Sequence, residues 1–130
     1  MSTKTMEHMI DWVEENMKQN PTLTELSNHV GYSPFYCSNK FHEYVGITLK
    51  QYIAKRRLSL VAQEMKSSNR RCLDIALDYG FSSQEALIRA FTGAYGFTPK
   101  QYRKHNPDIS YYGRPDLGSC KGKDNDRDGK

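Results

Sequence analysis

A chain of 130 residues with a formal net charge of +4 fits one compact unit or two very small ones, and leaves no room for a large catalytic fold. No apolar run approaches the roughly 20 residues that span a bilayer, and the acid-rich amphipathic start is unlike a signal peptide. The cysteines Cys37, Cys72 and Cys120 are odd in number and widely spaced, which argues against a disulfide framework or zinc ligand set and for a reducing cytoplasm.

Met6, Met9, Ile10, Val13 and Met17 recur at helical spacing with acids between them, which predicts an amphipathic helix closed by Asn20-Pro21. Thr22, answered by Glu25 three positions on, opens a second helix as a capping box, and Gly31 ends it. Ser33 caps a third helix with Pro34 at its first position, where a missing N–H leaves no helical bond unmade. From about Thr48 to Ser67 there is neither glycine nor proline. Leu49, Tyr52 and Ile53 are apolar at one end of that stretch, and Leu58, Val61, Ala62 and Met65 at the other, with Lys55-Arg56-Arg57 between. One long helix serving two cores explains the break. At about 1.5 Å per residue it spans roughly 30 Å, close to the approximately 34 Å between successive major-groove faces of DNA. A further helix pair follows over 68–105. Beyond His105 the composition is too polar to order itself, so 106–130 is expected to be a disordered tail or the stub of a linker. The expected organisation is an N-terminal helix-turn-helix subdomain (1–49), a linker helix (48–67), a C-terminal helix-turn-helix subdomain (68–105) and that tail.

An internal repeat carries most of the inference. Shifting by 50 superposes Ser33, Phe41, Gly46, Thr48, Lys50, Gln51 and Tyr52 on Ser83, Phe91, Gly96, Thr98, Lys100, Gln101 and Tyr102. Upstream the shift becomes 49, placing Glu25, Leu26, Gly31 and Tyr32 on Asp74, Ile75, Gly80 and Phe81, so the second copy has one extra residue in its turn. Each copy reads as helix, glycine turn, helix, with second helices at about 34–45 and 84–95. Their apolar stripes are Cys37, Phe41, Tyr44 and Val45 in one and Leu87, Phe91, Ala94 and Tyr95 in the other. By subtraction, Pro34, Phe35, Ser38, Asn39 and His42 face outward in the first, and Gln84, Glu85, Ile88, Arg89 and Thr92 in the second.

Charge is unevenly placed. Residues 1–30 hold two Lys against five acids, 31–105 hold twelve Lys or Arg against five, and the remainder balances. A basic middle suits a polyanion partner, although a solvated mixed-charge surface would look similar. Helix pairs on a glycine turn likewise suit either a DNA reader or a packing bundle. The outward side chains favour the reader, since an aromatic suits thymine methyls, Asn and Gln adenine edges, Glu cytosine N4 and Arg guanine.

The blocks Leu26-Ser27-x-x-Val30-Gly31-Tyr32-Ser33-Pro34-x-Tyr36, Phe41 to Gly46, Asp74-Ile75-Ala76-x-x-x-Gly80-Phe81-Ser82-Ser83 through Phe91, and Gly96-Phe97-Thr98-Pro99-x-x-Tyr102-Arg103 together resemble the AraC/XylS transcription regulators, in particular their small stand-alone activators. The resemblance covers about residues 6–104. It implies an all-α fold of about seven helices, with two homeodomain-like helix-turn-helix subdomains joined by a long central helix. It also implies a bacterial, cytoplasmic, sequence-specific activator that inserts both recognition helices into successive major grooves of double-stranded DNA and touches RNA polymerase. Where relatives often carry arginine this chain has Asn39, and Lys40 stands where an apolar residue is usual; first-half readout is therefore expected to be weaker or aimed at adenine.

The candidate base contacts are Phe35, Ser38, Asn39, Gln84, Glu85, Ile88 and Arg89, with Phe35 open to a bland reading as the cap of a local cluster and Ile88 as an exposed apolar residue. The candidate backbone contacts are Ser33, Tyr36, Lys50, Ser82, Ser83, Lys100 and Arg103. The serines act first as caps whose helix N–H groups hold phosphate, and the cations are otherwise solvated charges. Arg56 and Arg57 are expected to pair within the molecule. Trp12, Tyr52 and Tyr102 are expected in cores, and Cys37 as a buried small hydrophobe. His8, His29, His42 and His105 lack metal-ligand spacing. No catalytic constellation, cofactor site, metal site or membrane segment is expected. Two subdomains in one chain remove the usual need for a dimer on DNA. Two other readings stay open: the DNA-binding half of a ligand-sensing regulator, and a helical adaptor for an acidic protein.

Overall fold

The computed structural model describes residues 2–115. Among them are seven α-helices, one 3-10 turn and no strand: α1 (Thr3–Glu15), the 3-10 turn (Met17–Gln19), α2 (Leu23–Val30), α3 (Pro34–Val45), α4 (Leu49–Ser67), α5 (Cys72–Asp78), α6 (Gln84–Tyr95) and α7 (Pro99–His105). The expected recognition helices coincide with α3 and α6, and the expected linker helix with α4. No described helix is long and apolar enough to cross a membrane.

The chain divides into two units. The first comprises 2–17, 21–53 and 114–115 of the described residues, and the second Lys18–Asn20 and Ala54–Gly113. The boundary falls inside α4, at the apolar break that the Lys55-Arg56-Arg57 run marks.

In the first unit α1 packs on α2 and α2 on α3. Met6, Met9, Ile10, Val13, Met17, Leu26, Cys37, Phe41 and Tyr52 are all essentially buried. Local chemistry sets the boundaries. Ser2 caps α1, Thr22 and Glu25 exchange both bonds of a capping box, and the Ser33 hydroxyl accepts from the Tyr36 N–H at 3.1 Å. Trp12, expected in the core, is only half-buried, and its ring stacks on exposed His29 with centroids 5.8 Å apart. All four histidines are exposed.

In the second unit Val61, Ala62 and Met65 of α4 join Ile75, Ala76, Tyr79, Leu87, Phe91 and Tyr102 in one buried cluster. Ala94, placed on the α6 stripe from sequence, is exposed, and half-buried Tyr95 covers the core at that end with its ring 4.8 Å from Phe91. A period of 3.6 residues turns Ala94 past the edge of the apolar face, and its small side chain gains little from burial.

The repeat is explained by shared structural roles. Phe41 meets Tyr52 at 5.4 Å between centroids, and Phe91 meets Tyr102 at 5.6 Å. Gly46 and Gly96 close α3 and α6 at φ 95 and 86. Thr48 with Gln51 and Thr98 with Gln101 form matching reciprocal caps at the next helix. Every repeated residue except the lysine pair thus has a place in the fold.

Residues 106–113 depart from the disordered tail expected at 106–130. The Tyr112 N–H donates to Ser59 Oγ at 2.6 Å, Arg56 donates to the Tyr112 carbonyl at 3.0 Å, and the Tyr102 and Tyr111 hydroxyls pair at 2.7 Å. Ile109 packs on the second core. A few apolar and aromatic side chains suffice to dock this segment against α4, and average composition conceals them. The expectation for 116–130, and for Cys120 within it, lies outside the described residues.

Candidate nucleic-acid interface

In the first unit the Ser33 cap sets the start of α3, and with it the rotation of the residues that follow. Phe35 stands 76% exposed, an unusual state for so large an apolar side chain. Asn39 and His42 are also exposed, and Ser38 is half-buried. Tyr36 is half-buried, tilted against Tyr32 with ring centroids 4.9 Å apart. Lys40 does not protrude as a free cation: its Nζ lies 3.3 Å from Glu43 Oε1 and 5.8 Å from the Tyr36 ring centroid. Cys37 behaves as the expected small hydrophobe, and burial pushes its thiol pKa up.

Sequence reasoning passed over Tyr32. It is 41% exposed in the turn before α3, three residues ahead of Phe35. Its repeat counterpart Phe81 is half-buried instead. The signal was present in the alignment of an amphipathic tyrosine with an apolar phenylalanine.

In the second unit Ser83 accepts from the Ala86 N–H at 3.0 Å and so caps α6. Glu85 and Arg89 are exposed, as is Ser82, while Gln84 and Ile88 are half-buried. Gln84, Ile88 and Lys100 line one cavity of about 570 Å³ with Met65, Cys72 and Pro99. Four expected contact residues, Gln84, Ile88, Lys100 and Arg103, therefore share one concave face.

Arg103 has partners inside the fold. Its guanidinium donates to the Met65 carbonyl at 3.0 Å, the Arg70 carbonyl at 2.8 Å and the Ser68 carbonyl at 3.1 Å. The last carbonyls of a helix have no intrahelical donors, and Arg103 closes the end of α4 from α7. With three of its five donors so used, Arg103 has a structural role as a cap on that helix end. Arg56 and Arg57 pair within the molecule as expected, through Tyr112 and Asn20.

Lys50 and Lys100 are the opposite case. They are repeat equivalents at the second position of α4 and α7, both are exposed, and neither forms an ion pair among the described residues. Two capped helix-turn-helix units, each exposing polar side chains on its second helix, the first with exposed Phe35 beside them, and each with an exposed lysine at the start of the next helix, define a DNA-binding module.

Comparison with known proteins agrees. The family described as helix-turn-helix domain matches residues 26–105. The multiple antibiotic resistance protein MarA of Escherichia coli is 35% identical over 102 residues, covering 78% of this chain and 80% of its own. The HTH-type transcriptional activator AarP of Providencia stuartii is 34% identical over 92 residues, covering 71% and 68% respectively. Among solved structures, the C-terminal domain of the two-component response regulator yesN from Fusobacterium nucleatum superposes with a TM-score of 0.72 at 27% identity, covering 78% of this chain and 99% of that one. The chain belongs to the AraC-type helix-turn-helix family of DNA-binding transcription regulators.

Proposed function

We propose that the protein activates transcription by seating α3 and α6 in two successive major grooves of one asymmetric site, binding as a monomer and touching RNA polymerase. The observation that carries this reading is the pair Lys50 and Lys100, equivalent in the repeat, exposed and without an ion pair among the described residues. On this reading each neutralises a phosphate beside its own recognition helix. Phe35 then packs on a thymine methyl, with Ser38 and Asn39 on adjacent base edges. In the other half Gln84 takes adenine, Glu85 accepts from cytosine N4, Arg89 forks onto guanine and Ile88 makes an apolar contact. The N–H groups behind Ser33, Ser82 and Ser83, together with the Tyr36 hydroxyl, hold the backbone. The activator role is supported by similarity to AarP, which is named a transcriptional activator.

A footprint on a duplex selected from a random pool tests the groove arrangement. Protection of roughly two helical turns on one face is expected, and protection of a single half-site overturns it. Affinity should fall steeply with salt, with a log–log slope near −0.9 per phosphate contacted. A flat response favours the adaptor for an acidic protein. Added protein should raise transcript from a promoter carrying the site; lowered transcript overturns the activator assignment.

A further inference from the structure

The segment Lys18–Asn20 lies between α1 and α2 in the chain yet belongs to the second unit. Lys18 Nζ is 2.8 Å from Asp78 Oδ2 and 4.9 Å from the Tyr79 ring centroid. Asn20 donates through Nδ2 to the Gly80 carbonyl at 3.1 Å, and its Oδ1 accepts from Arg57 at 2.6 Å. The Arg57 guanidinium carbon in turn lies 5.4 Å from the Phe81 ring centroid. Four successive residues, Asp78 to Phe81, are thereby gripped where α5 ends and the turn toward α6 begins. The turn finishes at Ser83, the cap that fixes where α6 starts.

Backbone geometry shows how close this clasp is. Asn20 has φ 54, a left-handed conformation that Asn tolerates better than most residues. Gly80 has φ +85, and a Cβ there would lie 2.8 Å from Asn20 Oδ1. The left-handed conformation favours glycine there, and a Cβ would push the Asn20 amide out of its present place. The repeat equivalent Gly31 has the same φ, but nothing lies within 4 Å of its notional Cβ. The first turn therefore works without a clasp. The second differs in two ways that call for one: it is one residue longer, and α5 has no side-chain cap, whereas α2 carries a full capping box.

We propose that Lys18, Asn20 and Arg57 are positioning residues for DNA recognition, holding the longer turn so that α6 presents Gln84, Glu85 and Arg89 in one direction without themselves touching DNA. The proposal rests on the two-half-site reading above.

The test uses the full chain and the duplex selected by the wild-type protein, with the second half-site defined as the bases whose protection Arg89→Ala removes. Asn20→Gly permits the left-handed backbone and removes the side chain that makes both clasp hydrogen bonds. It should weaken binding roughly 5- to 10-fold, the worth of one or two hydrogen bonds, with lost protection confined to the second half. Asn20→Asp, which sets a carboxylate against the Gly80 carbonyl, should act in the same direction, while Lys18→Arg should stay near wild type. Equal loss in both halves, unchanged affinity, or a salt slope lowered as for a lost phosphate contact would overturn the proposal. Amide hydrogen exchange in the free protein gives a readout independent of DNA. Exchange over 82–86 should quicken in Asn20→Gly while that in α3 stays unchanged, and unaltered exchange over 82–86 overturns the clasp. If the wild-type chain protects only one half-site, the two-groove reading fails, and exchange still decides the positioning role.

Discussion

Arg103→Ala separates a structural cation from a DNA-binding one. The substitution removes donors to three carbonyls at and just beyond the end of α4. Hydrogen bonds from charged donors contribute on the order of 1.5–3 kcal/mol each. Taking the lower value for the two part-buried bonds, to Met65 and Ser68, and nothing for the exposed one to Arg70, the loss is about 3 kcal/mol. For a unit of this size each kcal/mol moves the thermal midpoint by roughly 4–8 °C, so a drop of roughly 12–24 °C is expected by circular dichroism. At a temperature where the variant stays folded, the salt dependence of DNA binding should match wild type. A variant with an unchanged midpoint, weaker affinity for every duplex and a salt slope smaller by about 0.9 would place the guanidinium on a phosphate and refute the capping argument.

Lys50→Ala and Lys100→Ala should do the reverse, leaving the midpoint within about 1 °C while weakening all duplexes alike and each lowering the salt slope by about 0.9; a sequence-selective loss would argue for base contact. Arg89→Ala should cost about 1–3 kcal/mol of binding and relax base preference at one position, as read by repeating the duplex selection. Phe91→Ala, at the buried centre of the second core, should destabilise by about 3–5 kcal/mol, measured by urea denaturation; a loss under about 1 kcal/mol would deny that core its central ring. Acid should weaken the second unit through Asp78, whose carboxyl is held below its ordinary pKa by the hydrogen bond from Lys18 and then that from Arg70. Because the folded pKa is depressed, this contribution is fully present above the ordinary carboxylate value of about 4 and is lost as pH falls through the folded value. Asp78→Asn should flatten that acid limb of the midpoint-versus-pH curve, and an identical limb in the variant would assign it to other carboxylates.

The candidate site was legible in part. Phe35, Asn39, Glu85 and Arg89 are exposed on the recognition helices where periodicity placed them, because a capped helix with one apolar stripe has only one way to turn. Gln84 and Ile88 are half-buried in a concavity with α7 residues, which no pattern within α6 reveals. Arg103 lies in a run of cations and reads like a phosphate contact until its carbonyl partners are placed around it. Tyr32 and Phe81 align in the repeat yet differ in exposure, since each depends on what packs against its turn.

The amino-acid order alone determined what is decided within about four residues. Caps at Ser33, Ser83, Thr22 and Thr98, stops at Gly46 and Gly96, and the stripes that bury Phe41 and Phe91 follow from local hydrogen bonding and helical period. The repeat adds the equivalence of the two units. Tertiary structure decided whatever joins distant residues: Asn20 to Gly80 across 60 positions, Tyr112 to Ser59 across 53 and Arg103 to Met65 across 38. Such contacts join single polar groups that leave no period in the chain, so only the folded arrangement shows which partner each one has.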